Sequence, residues 1–213
     1  MTGFFITGTG TGVGKTWATA ALTRALRSRG LPALALKPIL AGPRTDAEIF
    51  AAANQETLTL QEINPVTLAP PLAPYAACVI EDRPFDFTPV RETLAALAAR
   101  HPGPFLIEGI GGWRVPITRL ISVREWAQEL GLPVLIVAPA ALGTLNHTLL
   151  TLDSIRASGL SVPGILMNFH GVAEDDLAAC TNPAILEDLT GLPVFRFAEA
   201  AAFQDLPPWL LPG

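Results

Sequence analysis

Cysteine is nearly absent from this chain: Cys78 and Cys180 are the only two in 213 residues. They stand far apart and fit no metal-ligand spacing, so they read as two ordinary thiols. Charged residues are scarce as well, at 15% against 50% hydrophobic, a balance that excludes intrinsic disorder. Basic residues are outnumbered, 14 to 19, for a net charge of −5. The chain therefore lacks the surplus of Lys and Arg that a general nucleic-acid surface requires, although a few placed cations suffice for a small anion. No apolar run reaches the ~18 residues of a membrane span. The opening MTGFFITGTG has neither the basic segment nor the apolar length of a signal peptide. These absences lead us to expect a cytoplasmic protein without nucleic-acid or membrane partners. At ~100–200 residues per domain, residues 1–213 are expected to form a single domain, with a core large enough to need no staple. The 20 prolines and 18 glycines are scattered and read as turn punctuation.

Short apolar runs alternate with helical patterns. Strands are expected at 4–7, 33–36, 105–108, 133–137, 164–168 and 194–197. The spacing predicts a helix over 15–29, where Ala18, Ala21, Leu22, Ala25 and Leu26 share a face and Gly30 stops the run. Further helices are expected at 46–53, at 88–100 with Thr88 as cap and Pro89 in the first turn, and at 146–158. Another should start at Asn182-Pro183 and stop at Gly191. Ser122 and Glu125 form a capping box for a helix ending near Gly131. Residues 54–87, broken by five prolines, read as irregular, and the tail from Pro207 to Gly213 as a loosely docked end. Strands apolar on both faces and separated by helices imply an α/β fold, a doubly wound, mostly parallel sheet with helices on both faces.

The strongest chemical signal is Gly8-Thr9-Gly10-Thr11-Gly12-Val13-Gly14-Lys15-Thr16. It follows a strand and opens a helix, the setting in which backbone N–H groups and a helix N-terminus cradle phosphate. Lys15 supplies a cation for the outer phosphates, and the Thr16 hydroxyl suits Mg²⁺. The strict pattern has Gly where this chain has Thr9. A magnesium nucleotide also needs carboxylates. Glu108 ends the third strand and reaches the crevice beyond the strand ends; Asp46 follows the second strand, where it also reads as a plain helix cap. Lys37, beside the same crevice, can face an anion or simply be solvated. Asn168, at a strand end, can read a base edge or simply close a turn.

Taken together, Thr7-Gly8-Thr9 with Thr11–Thr16, Lys37-Pro38 with Gly42, Thr45-Asp46-Ala47, Glu108-Gly109-Ile110-Gly111-Gly112 leading to Val115-Pro116, Leu142-Gly143-Thr144-Leu145-Asn146-His147, and Asn168 resemble the dethiobiotin synthetase family over residues 4 to about 168. The resemblance implies a homodimer and a ligase that uses ATP, CO2 and 7,8-diaminopelargonic acid with Mg²⁺. It makes Lys37 and Lys15 the catalytic lysines and places Thr16, Asp46 and Glu108 around the metal. Gly12, Val13, Gly14, Lys15, Thr16 and Trp17 would hold the phosphates, with Glu108, Gly109, Ile110 and Gly111 flanking the nucleotide and Asn168 at the adenine. Thr11, Lys37, Ala41, Gly143 and Asn146 would meet the acid substrate, the last two across the dimer.

The chain departs from the family at Gly10, usually Asp, and at Ala41, usually a hydroxyl residue. The segment 195–201 also lacks the usual proline-containing turn. Two other readings therefore stay open: a nucleotide-binding paralogue with altered substrate or lost activity, and a partitioning- or amidase-type ATPase. The latter needs a signature lysine where Gly10 stands, or an extra glutaminase domain.

Overall fold

The computed structural model describes residues 1–211. The chain runs β1 (Gly3–Gly8), α1 (Lys15–Ser28), β2 (Leu34–Leu36), β3 (Ile39–Ala41), α2 (Thr45–Ala53), α3 (Leu60–Ile63), β4 (Val66–Leu68), α4 (Pro74–Ile80), α5 (Thr88–Arg100) and β5 (Phe105–Glu108). It continues through α6 (Val123–Leu130), β6 (Val134–Pro139), α7 (Thr144–Arg156), β7 (Ile165–Asn168), α8 (Leu177–Thr190) and β8 (Val194–Phe197). Two short 3-10 turns, Ala200–Gln204 and Pro208–Leu210, follow.

Six strands form one parallel sheet in the order β2-β5-β1-β6-β7-β8. The order reverses at β1, so a crevice opens at its C-terminal end. Alternation along β1 feeds both faces: Phe5 enters the core under α2, α5, α6 and α7, while Phe4 and Ile6 enter the core under α1. This is the doubly wound α/β arrangement expected from the apolar runs.

Four expectations need correction. Residues 54–87 are not irregular. They hold α3, closed by a capping box between Thr59 and Glu62, then β4, which pairs in parallel with β3 in a separate two-stranded sheet, then α4. Apolar strand triplets this short carry no readable periodicity. Thr88 is not the cap of α5 but its first residue; its N–H donates to Asp86 Oδ1 at 2.8 Å. The last long helix starts at Leu177, not at Asn182: the Asp176 carboxylate accepts from the Ala179 N–H at 2.9 Å, and Pro183 lies inside the helix. The tail is docked, with Leu210 fully buried and the Trp209 indole so close to Gly164 that a Cβ there would fall 2.6 Å from it; Pro212 and Gly213 lie outside the described residues. The Ser122–Glu125 box and the Gly131 stop are as expected.

Candidate active site

Thr9, the residue after β1, has no positive φ, and its N–H donates to Val137 O at 3.1 Å, so no glycine is needed there. The tight approach falls one residue earlier, where a Cβ on Gly8 would lie 2.8 Å from Val13 Cγ2. Gly14 has φ +96°, and its Cβ would lie 2.3 Å from Asn168 Nδ2; only glycine meets both conditions. The Lys15 side chain folds back across the loop and donates to Gly10 O at 2.9 Å. Burial pushes its pKa down to about 8, with Lys37 adding to the drop and Glu108 and Asp46 opposing it.

Lys37 follows β2 and is buried. Its ammonium donates to Glu108 Oε1 and, at 3.0 Å, to Gly109 O; Asp46 Oδ2 lies 3.5 Å away. Glu108 ends β5, and its Oε1 also accepts from the Thr16 hydroxyl at 3.1 Å. Glu108 Oε2 is buried without any hydrogen-bond partner. Asp46, in the first turn of α2, is partly open to solvent. The first turns of α1 and α2, the end of β5 and the residue after β2 thus bring Thr16, Asp46, Glu108 and Lys37 around one point. With Thr11, Gly12, Gly14, Lys15, Trp17, Ala41, Ile110 and Gly111 they line a cleft of about 600 Å³.

Val13, Gly109, Asn168, Gly143 and Asn146 do not line that cleft. Val13 and Gly109 present carbonyls behind it, the former accepting from Asn168 Nδ2 at 3.2 Å. Gly143 and Asn146 head α7, whose Leu150, Thr151 and Ser154 close a second pocket of about 470 Å³ on the far side of Thr9, Gly10 and Thr11.

One positioning residue escaped sequence reasoning. Asn64, buried just after α3, donates to Lys37 O and Val66 O, both at 2.9 Å, and accepts from Arg44 Nε at 3.1 Å. It ties the backbone of Lys37 to the residue that precedes the helix of Asp46. The only hint in the sequence is the Thr59–Glu62 box that brings the chain to this position.

A strand, glycine loop and helix at the switch point of a parallel sheet, with a lysine, a hydroxyl and two carboxylates around it, define a phosphate-loop nucleotide-binding protein of the α/β class. A family model described as "AAA domain" matches residues 2–197. The ATP-dependent dethiobiotin synthetase of Anaeromyxobacter sp. (strain K) is 45% identical over 89% of this chain and 86% of its own length. That of Akkermansia muciniphila is 37% identical over 91% and 90%. The chain belongs to the family of ATP-dependent dethiobiotin synthetases. In fold it is similar to the septum site-determining protein MinD of Pyrococcus horikoshii, solved with Mg-ADP (TM-score 0.59, 17% identity, 94% of this chain and 85% of that one).

Proposed function

We propose that this chain closes the ureido ring of dethiobiotin from 7,8-diaminopelargonic acid and CO2 at the expense of ATP. The observation that carries this is the buried Lys37 ammonium, held beside Glu108 in the same cleft as the phosphate-loop Lys15. Plain nucleotide binding has no use for a second buried cation there. A ligase that must bring an anionic carbamate to the γ-phosphate does.

In this reaction CO2 and one substrate amine give a carbamate. A carbamate oxygen takes the γ-phosphoryl group, and ADP departs. The second amine attacks the mixed anhydride, closing the five-membered ring and expelling phosphate. Transfer of this kind depends on positioning and charge stabilisation. Lys15 and the N–H groups from Gly12 to Trp17 bind the phosphates. Lys37 neutralises the carbamate and the charge that develops beside it. Thr11 and Ala41 border the acid substrate in the same protomer. Gly143 and Asn146 would reach it from a partner subunit, a reading supported by the largely bare Leu142 and Leu150 near them.

The Thr16 hydroxyl and the carboxylates of Asp46 and Glu108 suit Mg²⁺: all are hard oxygen donors, and the orphaned Glu108 Oε2 lacks the partner that a buried carboxylate oxygen requires. Among the described residues no group of three or more His, Cys, Asp or Glu is placed to hold a metal, so nucleotide oxygens and water would complete the shell. Bound there, Mg²⁺ would neutralise charge on the transferring phosphoryl group. Small-molecule work in the cytoplasm fits this reading; among the described residues no helix is long and apolar enough to cross a membrane.

A second reading, a paralogue with altered substrate, is favoured by Gly10, where an added Cβ would meet nothing closer than Val13 Cγ1 at 3.9 Å. Packing does not require glycine there. Phosphate release measured with and without diaminopelargonate decides between them. Release that depends on the diamine supports the ligase. Nucleotide binding without diamine-dependent release supports the paralogue.

A further inference from the structure

Trp17 stands in the first turn of α1, two residues after Lys15, and lines the phosphate cleft. Trp17 is 39% exposed, yet its indole is held between aromatic neighbours. It stacks on Phe197 with centroids 5.4 Å apart and planes 9° apart, and Phe203 packs against it at 6.0 Å and 61°. Both supporting rings are buried. A phosphate contact does not call for this side chain, because the backbone N–H at this position serves as well from any residue. A large ring made rigid by two buried rings, with much of its surface bare at the edge of an anion site, has the build of a stacking platform.

The surroundings join that platform to the back of the phosphate loop. Phe197 pairs with Asn168 across the β7–β8 ladder, and Asn168 is bonded to the back of the loop through Val13 O. The loop, both strand ends and Trp17 therefore form one wall. The Asn168 amide is partly committed there, donating to Val13 O and accepting from the His170 N–H at 2.9 Å. That leaves it one N–H and one lone pair, little for reading a base edge by itself.

We infer that Trp17 is a specificity-determining residue on which the purine base of the nucleotide stacks, Phe197 and Phe203 acting as its positioning residues. The inference rests on the ATP-dependent reading above. Calorimetric titration of Mg²⁺-ATP and of Mg²⁺-tripolyphosphate, which lacks the base, separates the two. With Trp17→Leu, ATP affinity should fall ~10- to 100-fold while tripolyphosphate changes by less than about threefold, and Trp17→Phe should keep most of the ATP affinity. Equal losses for both ligands would reduce Trp17 to loop packing, and unchanged ATP affinity would remove it from the site; either overturns the inference and leaves the phosphate loop intact. A natural chain that binds neither ligand would sink the nucleotide reading itself. Should Trp17→Leu fail to fold, the emission of the natural chain decides. ATP, but not tripolyphosphate, should alter the part of the indole signal that Trp17→Phe abolishes, and no such difference overturns the inference.

Discussion

At the scale of single residues, the cleft is a place where charge is concentrated and only partly satisfied. In the proposed reaction Lys37 is the residue on which the chemistry turns. Lys37→Ala should lower kcat by ~10²–10³, the usual cost of removing one preorganised charge donor, with a much smaller change in ATP affinity because Lys15 and the loop remain. Near-normal turnover with nucleotide binding lost would make Lys37 a phosphate anchor instead. The same change strips Glu108 of its buried counter-ion, so the midpoint of thermal unfolding should fall too. The glycines of the loop are not equivalent. Gly14→Ala forces a side chain into a positive φ and against Asn168, which should cost about 1–3 kcal/mol of stability, whereas Gly10→Ala, with open space, should stay within about 0.5 kcal/mol of the natural chain. Denaturant unfolding of the two variants side by side checks the contrast.

At the scale of elements, the sequence was legible wherever a pattern ran long. The helix from Lys15, the strand ending at Glu108 and the Ser122–Glu125 box could be read because periodicity, capping chemistry and a glycine stop agree there. The segment after Asn54 could not: its one strand, β4, is three residues long, and its order comes from side chains that close distant loops. Asn64 is the chief of these. Asn64→Ala leaves the Lys37 and Val66 carbonyls without its amide, and should cost about 1–3 kcal/mol, read by thermal unfolding. The α3 cap carries a pH signature. Arg100, and after it the Thr59 N–H, hold the Glu62 carboxyl at about 2, below its ordinary 4.5. The folded value is the lower one, so the stabilisation is complete above pH 4.5 and fades as pH falls toward 2. Glu62→Gln keeps the box but not the charge. It should flatten the acid-side loss of stability across that window while costing less than about 1 kcal/mol at neutral pH, since the pair is partly exposed.

At the scale of the whole molecule, the cleft shows one half of what the proposed reaction needs. The phosphate loop, Lys37 and the carboxylates face one another within one chain, but Gly143 and Asn146 do not line that cleft, and Leu142 and Leu150 are 92% and 62% exposed. A homodimer through the start of α7 would bury these leucines and deliver that turn to a neighbouring site. Sedimentation should show a dimer that Leu150→Glu weakens; a monomer at every concentration would refute it. Much of this site was visible in the sequence because its parts sit at strand ends and in a glycine loop, positions that topology brings together. What pairs with what was not visible. The grip of Glu108 on Lys37, the anchoring of the loop by Asn168 and the stack of Trp17 on Phe197 join residues 71, 155 and 180 positions apart in the chain, and no local pattern records such contacts.

In the proposed reaction the γ-phosphoryl group passes to a carbamate oxygen. A single turnover in ordinary water with C18O2, Mg²⁺-ATP and 7,8-diaminopelargonic acid, quenched before CO2 exchanges its oxygen with solvent, tests it directly. The phosphate released should carry one 18O, since the bond broken at ring closure is the one between the carbamate carbon and that oxygen. Phosphate without the label, released in step with ring formation, would contradict it.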